Sequence, residues 1–150
     1  EMLNLYKEMA KIKKFKSYIT KDLLISYFKE FSENIINIEA RIDNKLIAFR
    51  SVIYLNDTAW DLFACSNSDS KNNYTTYKIL NEIILFLISK KIKILDLSGV
   101  DKKNNIGVYN FKKGSGAQEF IKIGEFIYSP FLLFSILCSI AITLKRVLIK

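Results

Sequence analysis

The sequence predicts an α+β domain built on a mixed, mostly antiparallel sheet, with a central βαβ unit and flanking helices. Three observations carry that prediction. Ile36, Ile38, Ala40 and Ile42 alternate with Asn37, Glu39 and Arg41, the period of two that places one face of a strand inside and the other in water. Two further β-rich runs, Leu46 to Leu55 and Ala59 to Cys65, follow at hairpin spacing, with Asp43-Asn44 and Asn56-Asp57 as the turn signals. The order strand, helix, strand from Ala59 to Ser98 then brings the last strand back parallel to the first through a right-handed crossover. A chain of 150 residues with 50% hydrophobic content is long enough to bury one such core.

Each element has its own local reason. Thr20 is a suitable N-cap, and Leu24, Tyr27, Phe28 and Phe31 follow it at i, i+3, i+4, i+7 spacing on one helical face. After the three strands, Ser66 to Asn73 is a polar loop. Leu80, Ile83, Ile84, Leu87 and Ile88 then recur at helical spacing, with Leu85 and Phe86 widening the apolar face, so this helix is expected to be largely buried. Ile92 to Leu97 is the parallel strand. A polar loop, a short helix around Ile106 to Lys113, a Gly-Ser-Gly turn and a final strand near Gln118 to Tyr128 complete the domain. Pro130 separates it from an uncharged apolar stretch, Phe131 to Leu144, closed by Lys145 and Arg146. That stretch is shorter than the roughly 20 residues a bilayer requires. The expected organisation is a domain over 1–130 and an apolar helix over 131–150, packed on the domain or lying at a membrane surface.

Composition narrows the chemistry. The net charge of +8 favours anionic partners such as phosphate, tRNA or an acidic lipid surface. Lys7, Lys11, Lys13, Lys14, Lys16 and Lys21 crowd one early segment, either to track a phosphate backbone or as a solvated helix face. The sequence has no histidine, which excludes Ser/His and Cys/His nucleophile pairs and the usual zinc ligand sets. Cys65 and Cys138 are far apart, so neither a disulfide framework nor a metal knuckle is expected, and a reducing compartment fits. No signal peptide opens the sequence, and it begins at Glu1 rather than Met, as a fragment or a trimmed chain does.

The most specific residues are Asp96-Leu97-Ser98-Gly99 followed by Gly107-Val108-Tyr109-Asn110-Phe111-Lys112-Lys113-Gly114-Ser115-Gly116. This pair of segments resembles the signature of the FemABX-like aminoacyltransferases that build peptidoglycan bridges. In that family a strand ending in a D-[LF]-G-G-like motif precedes a G-x-Y-x-F-K-x-G-F-G-like segment, within a GNAT acyltransferase fold that is usually present twice. Ser98 and Ser115 depart from that pattern, standing where the family often has Gly and Phe.

The resemblance implies that Lys112 is a cation near the acyl donor or the developing oxyanion and that Phe111 forms the site wall. A fixed ammonium in a dry site stabilises a tetrahedral oxyanion by a few kcal/mol. Asp96, at a strand's C-terminal end, either orients the amine or takes its proton, or it caps a turn. Tyr109 is the other candidate proton relay, with core filling as its alternative. Gly99 and Gly107 are assigned to backbone geometry. For the donor, Ser66 and Lys71 lie in the loop where acetyl-CoA-dependent GNAT enzymes usually hold a pyrophosphate with glycines. This loop, Ser66 to Asn73, contains no glycine, and Asp69 adds a repelling charge, although Lys71 and the helix N-terminus remain able to bind a phosphate.

The expected function is therefore transfer of an aminoacyl group from aminoacyl-tRNA onto an amine of a lipid-linked or nucleotide-linked envelope precursor. It would take place in the cytoplasm or peripherally at the inner membrane face, with no cofactor and no metal. Two alternatives stand beside it. One is acyl-CoA-dependent N-acetylation of an amino sugar in envelope polysaccharide synthesis. The other is a non-catalytic half of a two-domain transferase whose N-terminal twin lies outside this sequence.

Overall fold

Helix α1 spans Met2–Ile12 and buries Leu5 and Ala10, which leaves Lys7 and Lys11 on its solvated side. Lys13, Lys14, Lys16 and Lys21 are exposed as well, so the early basic segment is a solvated cationic surface. Helix α2, Lys21–Glu30, begins where expected: the Thr20 hydroxyl accepts the Leu23 backbone N–H at 3.1 Å, satisfying one of the orphan donors of the first turn. The computed structural model describes residues 1–17, 19–70, 74–121 and 130–148, and the chain divides into two units, 1–117 and 118–150.

The alternating run is strand β1, Ile35–Ile42, and it pairs antiparallel with β2, Lys45–Leu55. Asp43 and Asn44 both take positive φ, 47° and 64°, as a tight two-residue hairpin turn demands. Strand β3, Thr58–Ser66, continues the meander, and β4, Ile94–Asp96, joins it in parallel after helix α3, Thr75–Ser89. The sheet order is β1-β2-β3-β4. The predicted short helix is α4, Ile106–Gly114.

Two register slips decide which side chains enter which core. Along β2 the pairing skips Ile47, and along β3 it skips Leu62. Each extra residue reverses the alternation beyond it. Ala48, Val52 and Ala59 therefore face α3, packing with Ile79, Ile83 and Leu87, whereas Leu46, Phe49, Phe63 and Cys65 face the opposite side and pack with Leu5, Leu24 and Tyr27. The result is a three-layer domain with α3 on one face of the sheet and α1 and α2 on the other.

Helix α3 differs from expectation. Only one stripe is buried; Ile84, Leu85 and Ile88 are 38%, 53% and 63% exposed, because the helix meets the sheet along Ile79, Leu80, Ile83 and Leu87 and no described element covers its outer side. Gln118 to Ile121, the start of the predicted last strand, lie in no strand, and the rest of that strand falls outside the described residues. In the second unit, α5 runs from Leu132 to Leu148, with Phe131 and Phe134 in an edge-to-face contact and Leu132, Leu133, Leu137 and Ile140 exposed. Among the described residues, no helix is long and apolar enough to cross a membrane.

The one-sided burial of α3 is directly testable. Ile83→Ala, at a fully buried position, should destabilise the domain by about 2–5 kcal/mol, whereas Ile84→Ala should cost less than about 1 kcal/mol. Equal losses in urea unfolding would contradict the packing described.

Candidate functional site

Strand β4 pairs with β3 through only three residues, Thr58, Ala59 and Trp60 opposite Ile94, Leu95 and Asp96. Beyond them the strands part, and the C-terminal half of β3 has no ladder partner on that side among the described residues. A turn and a helix border the gap. Asp96 accepts the Ser98 backbone N–H on Oδ1 at 2.7 Å, and the Ser98 hydroxyl donates to the Asp61 carbonyl at 3.0 Å. Ser98 sits at φ 65°, the left-handed region that glycine occupies most cheaply, so its two hydrogen bonds hold a strained turn.

Helix α4 returns over this turn. The Lys112 ammonium, on a buried side chain, donates to the carbonyls of Gly99 at 2.7 Å and Ser98 at 3.3 Å. Its neighbour Phe111 packs on Tyr77 of α3 with ring centroids 4.8 Å apart. A Cβ on Gly114 would come within 2.8 Å of the Tyr77 hydroxyl, so any side chain there would make the Tyr77 ring shift. Gly99 and Gly107 are different: neither has a positive φ, and a Cβ on either would meet nothing within 4 Å.

A buried ion pair lies beneath. Arg50 of β2 donates from Nη1 to Asp61 Oδ2 of β3 at 3.0 Å, both side chains at least nine-tenths buried, and the guanidinium carbon stands 5.0 Å from the Phe111 ring centroid. The slip at Leu62 is what puts Asp61 on the same face as Arg50. Burial pushes the Asp61 carboxyl above the usual range, opposed by the charges of Arg50 and Lys112. Burial likewise lowers Arg50 and Lys112 from their ordinary values, with Asp61 opposing both shifts.

In front of this cluster a groove of about 1040 Å³ runs along the open edge of β3, between α1, the start of α3 and the start of α4. Tyr6, Lys13, Phe15, Arg50, Ser66 and Phe111 are among the residues that line it. Of the residues singled out in the sequence, Phe111 and Ser66 are in the groove wall, while Asp96 and Lys112 both hold the Ser98-Gly99 turn where β3 and β4 part. Tyr109 stands apart, with the ammonium groups of Lys102 and Lys113 at 5.1 and 6.0 Å from its ring centroid. Lys71 lies outside the described residues. Sequence reading missed Arg50, Asp61 and Tyr77; a charged residue in each of the apolar runs Leu46 to Val52 and Ala59 to Cys65 was the available signal for the first two.

A sequence model of the FemAB family matches residues 6–138. No curated protein matches the sequence. Among solved structures, the chain resembles an aminoglycoside acetyltransferase from an uncultured soil metagenomic sample in complex with sisomicin, with TM-score 0.63, 12% identity and coverage of 85% of this chain and 86% of that one. It also resembles a predicted acetyltransferase with acetyl-CoA from Clostridium acetobutylicum, with TM-score 0.64, 12% identity and coverage of 84% and 87%. A third is the aminoglycoside acetyltransferase AAC(6')-Iy in complex with a bisubstrate analogue built on CoA, with TM-score 0.60, 12% identity and coverage of 78% and 86%. At these identities the likeness is one of fold, and the fold is that of the GNAT acyltransferases.

Cys65 also lines the groove, and burial pushes its thiol up to about 11 while its Sγ donates to the Leu5 carbonyl at 3.3 Å. Because the folded value is raised, the stability tied to the protonated thiol is present below the ordinary value near 9 and is lost as pH rises through about 11. Iodoacetamide at about pH 8 should therefore modify the exposed Cys138 well before Cys65. Equal rates, read by peptide mass, would refute the shielding.

Proposed function

The chain belongs to the FemAB family and is an acyltransferase, and from that premise we propose that it moves an aminoacyl group from aminoacyl-tRNA to an amine of a lipid-linked or nucleotide-linked envelope precursor. The observation that carries the reading is the Phe111-Lys112 pair: one residue in the groove wall, the next a buried ammonium at the point where β3 and β4 part. In the reaction the acceptor nitrogen attacks the ester carbonyl, a C–N bond forms, the negative charge passes to the carbonyl oxygen, and the C–O bond to the ribose then breaks. An ammonium has three donors. Two of those on Lys112 rest on carbonyls, and the third is assigned to the developing oxyanion.

Asp96, which also holds the Ser98 turn, is assigned to orienting the acceptor amine, taking its proton and passing it to the leaving ribose oxygen, while Tyr109, apart from the groove, is given no step. Phe111 and Ser66 shape the walls, Gly99 offers its carbonyl to Lys112, and Lys71 is assigned as a phosphate contact. The lack of glycine in Ser66 to Asn73 favours tRNA over CoA, because side chains there keep backbone N–H groups from closing on a pyrophosphate. The exposed apolar surface of α5 and the +8 charge support work at the inner face of a membrane, and residues 1–130 are assigned as the transferase domain. A twin domain before it belongs to this reading, since the fold is usually present twice in the family. A second reading, acyl-CoA-dependent acetylation of an amino sugar, draws on the fold shared with the acetyltransferases that hold acetyl-CoA or a CoA analogue.

Lys112→Ala should lower transfer by about 100-fold or more while costing about 1 kcal/mol of stability for the hydrogen bonds lost to the exposed Ser98-Gly99 turn. Undiminished transfer by a folded variant would sink the role given to Lys112. Binding separates the donors. Salt-sensitive binding that prefers charged over bare tRNA supports the bridge-forming reading, acetyl-CoA binding alone supports the amino-sugar reading, and binding to neither leaves a non-catalytic half of a larger transferase.

A further inference from the structure

Arg50 is the buried cation of the groove wall among the described residues; Lys13, the other lining cation named above, is exposed. A guanidinium taken out of water is costly unless its donors are used. Asp61 uses them incompletely. Its Oδ2 receives one hydrogen bond from Nη1, while Oδ1 is buried without a hydrogen bond, so the pair is held at one point and not by the two-pronged contact that arginine and carboxylate can form. The guanidinium carbon lies over the ring of Phe111, which itself packs on Tyr77. An arginine held over one ring and tethered at one nitrogen keeps further N–H donors for a ligand, and such a planar fork suits a phosphate.

The groove around it fits a nucleotide. Tyr6 and Phe15 form an edge-to-face pair with centroids 6.0 Å apart, and Phe111 stands opposite the cation. Aromatic surface beside a cation is what stacks a base and neutralises its phosphate. Resting on the donor assignment above, we propose that Arg50 recognises a phosphate of the acyl donor's terminal nucleotide in this groove, with Asp61 and Phe111 as the positioning residues that set the guanidinium's orientation. Aminoacyl-tRNA and acyl-CoA both carry an adenine nucleotide with phosphate, so the chemistry is common to the two sources and the test separates them.

The test titrates the full chain with a 5′-phosphorylated RNA oligonucleotide ending in cytidine-cytidine-adenosine and, separately, with CoA, at two salt concentrations. Arg50→Lys keeps the charge and loses the planar edge; it should weaken donor binding by about tenfold or more and raise the donor KM more than it lowers kcat. Since either single neutralisation strands a buried charge, the double variant Arg50→Met/Asp61→Asn supplies a charge-balanced control that should melt near the wild type and show the same loss. A double variant that melts like the wild type and binds both probes as tightly overturns the proposal while leaving the donor reading intact. Wild-type binding to CoA and not to RNA, with the same loss in the double variant, overturns the tRNA donor and supports Arg50. Wild-type binding to neither probe overturns both.

Discussion

The site depends on the parting of β3 and β4 after three paired residues. A parallel ladder that continued along β3 would bury its backbone against β4 and leave no groove; instead Asp96 turns the chain away by accepting the Ser98 N–H, and the edge of β3 stays open. The left-handed turn at Ser98 is held by hydrogen bonds at its amide and its hydroxyl, and by the Lys112 ammonium on its carbonyl. Lys112 thereby ties α4 to the end of β4. The distance from Asp96 to Lys112 along the sequence is the length of chain needed to leave the strand, form the Asp101 to Asn104 turn and come back as a helix.

Charge is concentrated where water is scarce. Arg50, Asp61 and Lys112 are buried in one small volume with Asp96 close enough to act on two of them, and burial pushes each of the three toward its neutral form. Such clusters contribute little to stability by themselves, since desolvation offsets most of the attraction. They interrupt a sheet otherwise packed with Ala48, Val52 and Ala59 at the place where Arg50 lines the groove. Phe111 joins the two parts of the site, with the Arg50 cation on one side, Tyr77 on another and Lys112 next in sequence.

The two β-bulges carry information that a period of two conceals. Ala59, Asp61, Phe63 and Cys65 read as one face of a strand, yet Ala59 faces α3 while Phe63 and Cys65 face α1, because Leu62 is extra in the ladder. Read without the bulge, Asp61 belongs with Phe63 in an apolar core and looks like an error in the pattern. With it, Asp61 reaches Arg50. The glycine frame of the signature also reads differently once folded: the left-handed backbone at 96–99 falls on Ser98, Gly116 takes φ 84°, and Gly114 lies where a Cβ would press on the Tyr77 hydroxyl.

From the sequence alone come the elements and their order: the Thr20 cap, the hairpin turn at Asp43-Asn44, the parallel strand after α3, and the Phe111-Lys112 segment as the center of interest, all set by local spacing, capping and turn chemistry. The tertiary structure decided which stripe of α3 is buried, that Ile84, Leu85 and Ile88 face outward, that Lys112 holds the Ser98-Gly99 turn, and that Arg50 lines the groove with Asp61 as its partner. These are matters of register and of contacts between residues distant in sequence. A one-residue slip in a ladder changes every partner beyond it while leaving composition and local propensity untouched.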